Sequence, residues 1–283
     1  MTAWHGDGAG PRPLPGSRIF LFLRGAALGT LTFGGLALLL LLRLIERPLF
    51  GLRRPVTPWI TRFVCRSAFR ILGIGYVIEG TPMQGPGALV ANHGSWLDIF
   101  ALNACQQIYF VSKDEVRSWP GIGWLARATG TLFIKRDRRH AAAQVQQFED
   151  RLHAGHKLLF FPEGTSSDGR RVLPFKPTLF AAFLSDALRD ELWIQPVSLV
   201  YHTPPGADPR SYGWWGDMDF GPHLAMVLAA RQQGRVTLVF HEPLKAAAFD
   251  SRKALAAACE EAVRSGVAAH VPDAHSTPGT ALR

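Results

Sequence analysis

The chain has 283 residues, of which 47% are hydrophobic and 19% charged, and a formal net charge of +9. That length can bury a sizeable core, and the composition excludes a disordered chain. Three scattered cysteines, Cys65, Cys105 and Cys259, exclude a zinc ribbon or a disulfide-stapled secreted domain.

The charge is local. Residues 1–75 carry ten arginines against Asp7 and Glu46, and the remaining 208 residues are nearly neutral. A nucleic-acid binder spreads basic residues over its folded face, so no nucleic-acid partner is expected. A basic block beside an apolar run points to an anionic membrane.

Residues 1–17, rich in Gly and Pro, read as a flexible tail. Gly25 to Leu42 is an uncharged run ending in five leucines. As a helix it would span about 27 Å, close to the hydrocarbon thickness of a bilayer. Arg24 and Arg43 are placed to snorkel at its ends. Gly25 and Gly29 form one GxxxG, which chance explains equally well. No small-residue cleavage site follows Leu42, so a retained anchor is favoured over a cleaved signal peptide. A re-entrant hairpin is the alternative, because the run barely spans. Arg43, Arg47, Arg53 and Arg54 put the following chain on the cytoplasmic side, and the expected location is the cytoplasmic face of the inner (plasma) membrane.

Thr57 is the expected N-cap of the next helix, with Pro58 at its first position. Ile60, Phe63, Val64, Ala68, Ile71 and Leu72 recur at helical spacing, and Arg62, Arg66 and Arg70 line another face. Residues 18–75 thus read as a membrane anchor plus an amphipathic basic helix. A helix packed on the domain with a solvated basic face fits the same pattern.

From residue 76 to 265 strands and helices alternate. Strands are predicted at Tyr76–Glu79, Ala88–Ala91, Ile108–Val111, Thr131–Ile134, Lys157–Phe161, Trp193–Val200 and Val236–His241. Helices are predicted at Trp96–Ala104, Ile122–Thr129, His140–His153, Thr178–Ala187 and Ser251–Ser265. The alternation argues for an α/β domain, a layered sheet flanked by helices. Residues 266–283 read as a second flexible tail.

Asn92-His93-Gly94-Ser95-Trp96-Leu97-Asp98 follows a strand, at the end where α/β folds bind ligands. On one continuous helix His93 and Asp98 would lie about 140° apart. They meet only if His93 is in the turn and Asp98 in the first turns of the helix. That suits a base and its orienting carboxylate. A capping aspartate beside a satisfied loop histidine is the plainer reading of HxxxxD alone. Downstream, Phe161-Pro162-Glu163-Gly164-Thr165-Ser166-Ser167-Asp168-Gly169 is a sharp turn with a carboxylate and hydroxyls. It would bind an acceptor's hydroxyls or order the histidine's surroundings. No Gly-x-Ser-x-Gly elbow, HExxH, P-loop or GxGxxG occurs, so no metal is expected.

Together these motifs resemble the glycerolipid acyltransferase family. The first block matches Asn92–Asp98, the second Gly130–Arg136, the third Phe161–Thr165 and the fourth Ile194–Val197, all in order. The resemblance implies an O-acyltransferase of the 1-acylglycerol-3-phosphate type. It implies catalytic His93 and Asp98, and substrate binding by Asn92, Ser95, Arg136, Glu163, Gly164, Thr165, Ser166 and Lys176. It implies no cofactor, a lysolipid acceptor, and acyl-CoA or acyl carrier protein as thioester donor. Lysophosphatidate ranks first as acceptor and lyso-ornithine lipid second. Many lysophosphatidate acyltransferases place Arg where Ser166 stands; Arg136, Lys176 or Arg170-Arg171 would have to compensate. Ser166–Gly169 and Trp214–Asp219 look like members that acylate lyso-ornithine lipid. A serine lipid hydrolase using Ser95 and a non-catalytic membrane scaffold are the remote alternatives.

Overall fold

A computed structural model of the chain describes residues 4–6, 10–134, 141–185 and 188–271. Its first element is a long helix, α1 (Arg18–Phe50), which extends the predicted apolar run at both ends. Pro48 sits near its C-terminus, and Gly51 ends it at φ +58°. By length and composition α1 is able to cross a membrane. It packs along the domain rather than projecting from it. Arg24 reaches the Leu228 and Ala230 carbonyls at one end, and Gly35 meets the next helix in the middle. A Cβ at Gly35 would stand 2.5 Å from Val64 Cγ2, whereas Gly29 faces open space. The close helix approach is therefore at Gly35, not at the Gly25-Gly29 pair.

Helix α2 (Thr57–Leu72) ends at Gly73 in the left-handed region, as glycine permits. Its N-terminus is not capped by Thr57, which lies inside the first turn. Glu46 of α1 does the capping. Its buried carboxylate accepts from Val56 N, Thr57 N and Thr57 Oγ1, and Arg43 donates to it at 3.0 Å. Trp59 and Phe63 are exposed on α2.

The sheet contains β1 (Gly75–Glu79), β2 (Gly87–Ala91), β3 (Tyr109–Lys113), β4 (Leu132–Ile134), β5 (Lys157–Phe160), β6 (Trp193–His202), β7 (Arg235–Phe240) and β8 (Leu244–Lys245). The order is β1-β7-β6-β2-β5-β3-β4, with β8 beside the start of β6. β6 runs antiparallel to β7 and β8; the other pairs are parallel. β2 is solvent-free along its whole length, as a central strand covered on both faces must be.

Between the strands lie α3 (Leu97–Cys105), α4 (Ile122–Thr129), α5 (Ala141–His153) and α6 (Phe220–Ala229), and α7 (Arg252–His270) follows β8. One apolar cluster joins α1, α2, α3 and α6 to one sheet face, and another joins α5 and α7 to the opposite face. Each fully buried Leu or Phe in them is worth about 1.5–3 kcal/mol over exposure.

Four expectations change. Pro177–Leu184 forms a 3-10 helix rather than the predicted α-helix, because Phe180 and Phe183, three apart, both enter the core. α6 was hidden by its Gly221-Pro222, a turn signal elsewhere but tolerated in a helix's first turn. α7 continues past Ser265 to His270, since Gly266 lets it approach the sheet: a Cβ there would meet Ser198 Oγ at 2.4 Å. Part of the expected N-terminal tail is packed. Leu14 is buried, Gly16 pairs with Ala230, and Arg12 N donates to Asp208 Oδ2.

Candidate active site

β2 ends at Ala91, and Asn92 continues its pairing by side chain. Asn92 Nδ2 donates to the Leu199 carbonyl at 2.9 Å, and Leu199 N donates back to Oδ1 at 2.8 Å. Both ends of the amide are thus spent on β6. Asn92 is buried and holds the start of the turn, a structural task that the expected role in substrate binding did not include.

The next residue turns outward. His93 Nδ1 lies 2.8 Å from Asp98 Oδ2. Gly94 N and Ser95 N donate to the same oxygen at 2.9 and 3.0 Å, and Tyr201 Oη donates to Oδ1 at 2.8 Å. Asp98 acts here as an acceptor only, which puts the ring proton of His93 on Nδ1. Nε2 is left as an acceptor and has no hydrogen-bond partner among the described residues. The His93 side chain is 21% exposed and that of Asp98 is 0% exposed, so the pair is open on the histidine side alone. The ring stacks on Phe161 at 4.1 Å, with an interplanar angle of 11°.

The main chain of the turn is held on three sides. Glu163 Oε1 accepts from His93 N at 3.0 Å. Ser167 N donates to the His93 carbonyl and Trp214 N to the Gly94 carbonyl, each at 2.8 Å. Glu163 is buried, and burial pushes its carboxyl well above the usual range, against the His93 amide that donates to it. Of the two predicted roles for Glu163, ordering the histidine is the one its geometry serves. Gly164, at φ +71°, closes the turn after β5. Gly94 carries no side chain because a Cβ would come within 2.8 Å of Gly169 Cα.

Ser95 is fully buried, and its Oγ accepts from Leu97 N at 3.3 Å. It offers no exposed nucleophile. A second Ser–His contact, Ser198 Oγ to His241 Nε2 at 2.8 Å, is also closed. Ser198 gives its proton to the Val263 carbonyl, so His241 must donate to it rather than deprotonate it.

Thr165 and Ser166 are half-buried on the turn that leads to Ser167. Lys176 is half-buried too, its backbone N bound to the Pro162 carbonyl. Arg171 pairs with buried Asp168 at 3.0 Å. Arg136 lies outside the described residues. Tyr201, Phe161 and Trp214 are the site residues that motif reading passed over. Phe161 and Trp214 stood inside quoted runs without a role assigned to them, while Tyr201 carries no local signal, since only the β2–β6 pairing brings it to Asp98.

Residues 76–200 match the family described as Acyltransferase. Over 266 residues the chain is 59% identical to a lyso-ornithine lipid O-acyltransferase of Rhodobacter capsulatus, covering 93% of this chain and 96% of that one. The chain belongs to the acyltransferase family. It is an acyltransferase with a mixed sheet flanked by helices and a candidate N-terminal membrane helix. A 1-acyl-sn-glycerol-3-phosphate acyltransferase of Neisseria gonorrhoeae is 32% identical over 207 residues, covering 72% of this acyltransferase and 78% of the relative. The crystal structure of the 1-acyl-sn-glycerophosphate acyltransferase from Thermotoga maritima shares the fold. Its TM-score is 0.62 at 23% identity, covering 89% of this chain and 93% of that chain.

Proposed function

We propose that this acyltransferase moves a fatty acyl group from a thioester on coenzyme A or acyl carrier protein to the free hydroxyl of a lysolipid, and that this lysolipid is lyso-ornithine lipid. The observation that carries the reaction is the His93–Asp98 pair, with Nε2 as the ring nitrogen that Asp98 leaves free on a partly exposed side chain. Nε2 takes the hydroxyl proton while Asp98 steadies the imidazolium. The oxygen attacks the thioester carbonyl and the new C–O bond forms. As the C–S bond breaks, the thiolate leaves and recovers the proton from His93. No acyl-enzyme is needed, and the reading calls for no resident cofactor or metal.

For the acceptor, the ranking drawn from sequence is reversed. The 59% identity to a lyso-ornithine lipid O-acyltransferase supports the aminolipid. So does Ser166 in the position of a phosphate-holding Arg, with Arg171 already engaged by Asp168. The Neisseria relative keeps lysophosphatidate as the second reading.

The same reading puts the enzyme on the cytoplasmic face of the inner membrane, against anionic lipid. The arginines after α1 and the exposed Trp59 and Phe63 of α2 support that placement. Packing of α1 along the domain favours a helix lying in one leaflet over one that crosses.

The test is acylation by the purified full-length protein, with acyl-CoA and acyl carrier protein thioesters and a panel of lysolipids. Preferential product from lyso-ornithine lipid is expected. Preference for lysophosphatidate would replace the acceptor, and fatty-acid release without acyl transfer would overturn the reaction.

A further inference from the structure

Residues at the far N-terminus meet both loops that hold the His93–Gly94 turn. The ring of Trp4 lies 6.1 Å from that of Trp215. The guanidinium of Arg171 sits 5.1 Å above the Trp4 ring while also pairing with buried Asp168. His5 Nδ1 lies 3.4 Å from Asp217 Oδ2. Gly216 packs under this segment, with room for a Cβ limited by His5 Nδ1 at 3.3 Å and the Trp4 carbonyl at 3.4 Å. Trp4–Gly6 therefore touches the Ser166–Arg171 turn on one side and the Gly213–Asp219 loop on the other.

Those two loops each donate one backbone hydrogen bond to the turn, Ser167 N to the His93 carbonyl and Trp214 N to the Gly94 carbonyl. They also touch each other, since a Cβ at Gly213 would stand 2.7 Å from the Asp168 carbonyl. Nearer α1, Arg12 to Ser17 are tied down through Asp208, Arg231 and Ala229.

We propose that Trp4 is a positioning residue for the acceptor side of the active site. It clasps Arg171 to Trp215 and so sets the spacing of the two loops that flank His93. Ser166, the residue in the head-group position, lies on the first of these loops, so the clasp governs how the acceptor is held more than how the donor thioester is held. The proposal rests on the acyltransferase reading above.

The experiment compares Trp4→Ala and Trp4→Phe with the wild type in the full-length enzyme, with KM measured separately for acceptor and donor. A cation–π contact and an aromatic pair together predict a rise of about tenfold in acceptor KM for Trp4→Ala, with donor KM within about twofold. Trp4→Phe keeps a ring under Arg171 and is expected to restore most of the loss. Amide hydrogen exchange gives a readout independent of turnover. Ser167 and Trp214 amides are expected to exchange faster in Trp4→Ala, with the β2 and β5 amides unchanged. Unchanged acceptor KM together with unchanged exchange at these two amides would overturn the proposal. An equal rise in both KM values, or loss not rescued by Phe, would overturn it as well. A wild type inactive on every lysolipid would instead refute the acyltransferase chemistry proposed for His93, while the exchange result would still decide the clasp.

Discussion

Tyr201 Oη donates to Asp98 Oδ1 at 2.8 Å, across the sheet from the turn that carries His93. Both side chains are buried. Asp98 meets His93 through its other oxygen, so Tyr201 fixes the carboxylate plane without touching the imidazole. Tyr201→Phe removes that one bond. A hydrogen bond to a charged group is worth about 1.5–3 kcal/mol, of which only the part felt by His93 reaches the rate. The expected loss in kcat/KM is about tenfold. His93→Ala is expected to cost about 10²- to 10⁴-fold, with Asp98→Asn between the two. Steady-state acyl transfer by the three folded variants checks the order. A Tyr201→Phe loss as large as that of His93→Ala would mean that the phenol acts on substrate directly.

Asn92 separates structural from chemical roles within the same turn. Its amide satisfies one buried donor and one buried acceptor of Leu199. Asn92→Ala leaves both without partners, at about 1–3 kcal/mol each. The expectation is a urea midpoint lowered to match at least about 2 kcal/mol, with acceptor and donor KM of the remaining folded enzyme close to wild type. A raised KM without loss of stability would return Asn92 to the substrate.

The fold was legible wherever a strand or helix announces itself by its own pattern. The predicted strands Ala88–Ala91 and Lys157–Phe161 match β2 and β5 because central strands read as continuous apolar runs. Helix geometry gave the condition under which His93 and Asp98 meet, and the family resemblance singled that arrangement out. What stayed hidden depends on which strands are neighbours. Tyr201 and Leu199 reach the turn only because β6 lies beside β2. Trp214 reaches Gly94 from a loop with no periodic signal. Glu46, one of two acids in the first 75 residues, gave no sign that it caps a helix eleven positions on.

Two buried histidines make stability depend on acidity. Burial pushes His223 down to about 4, opposed by the Ser211 and Gly213 carbonyls, and its Nδ1 accepts from Trp96 Nε1 at 2.9 Å. Burial, with the Arg151 and Arg54 charges, pushes His156 down to about 3. In both cases the unfolded chain binds a proton first as pH falls. Stability is therefore complete above about pH 6.5 and falls as pH drops toward the folded-state values. For His223 alone the loss is about 2 kcal/mol by pH 5. Urea midpoints at pH 7 and pH 5 measure it. His223→Gln, which keeps an acceptor for Trp96 and does not titrate, is expected to remove about half of the difference, the rest belonging to His156. An equal pH difference in that variant would assign the acid sensitivity elsewhere.

Ser166 carries the last prediction. It is half-buried on the turn after β5 and adjoins Ser167, whose amide binds the His93 carbonyl. A group at 166 is therefore one residue from the turn that presents the proposed base. An arginine there would bring a planar pair of donors, and a phosphate monoester accepts them with charge assistance. A serine hydroxyl brings neither the charge nor the fork. Arg171, on the same turn, is held by Asp168 at 3.0 Å and stacked on Trp4, so it does not stand in for the missing group without giving up both contacts. Ser166→Arg is expected to shift the kcat/KM ratio toward lysophosphatidate over lyso-ornithine lipid by about tenfold or more, as one charged hydrogen bond of about 1.5 kcal/mol allows. The shift is expected in acceptor KM, because the bond is made to a group remote from the reacting hydroxyl and is felt equally before and during reaction. A folded Ser166→Arg enzyme with an unchanged ratio would mean that position 166 does not face the head group, and the choice between phosphate and aminolipid would have to be made elsewhere in the site.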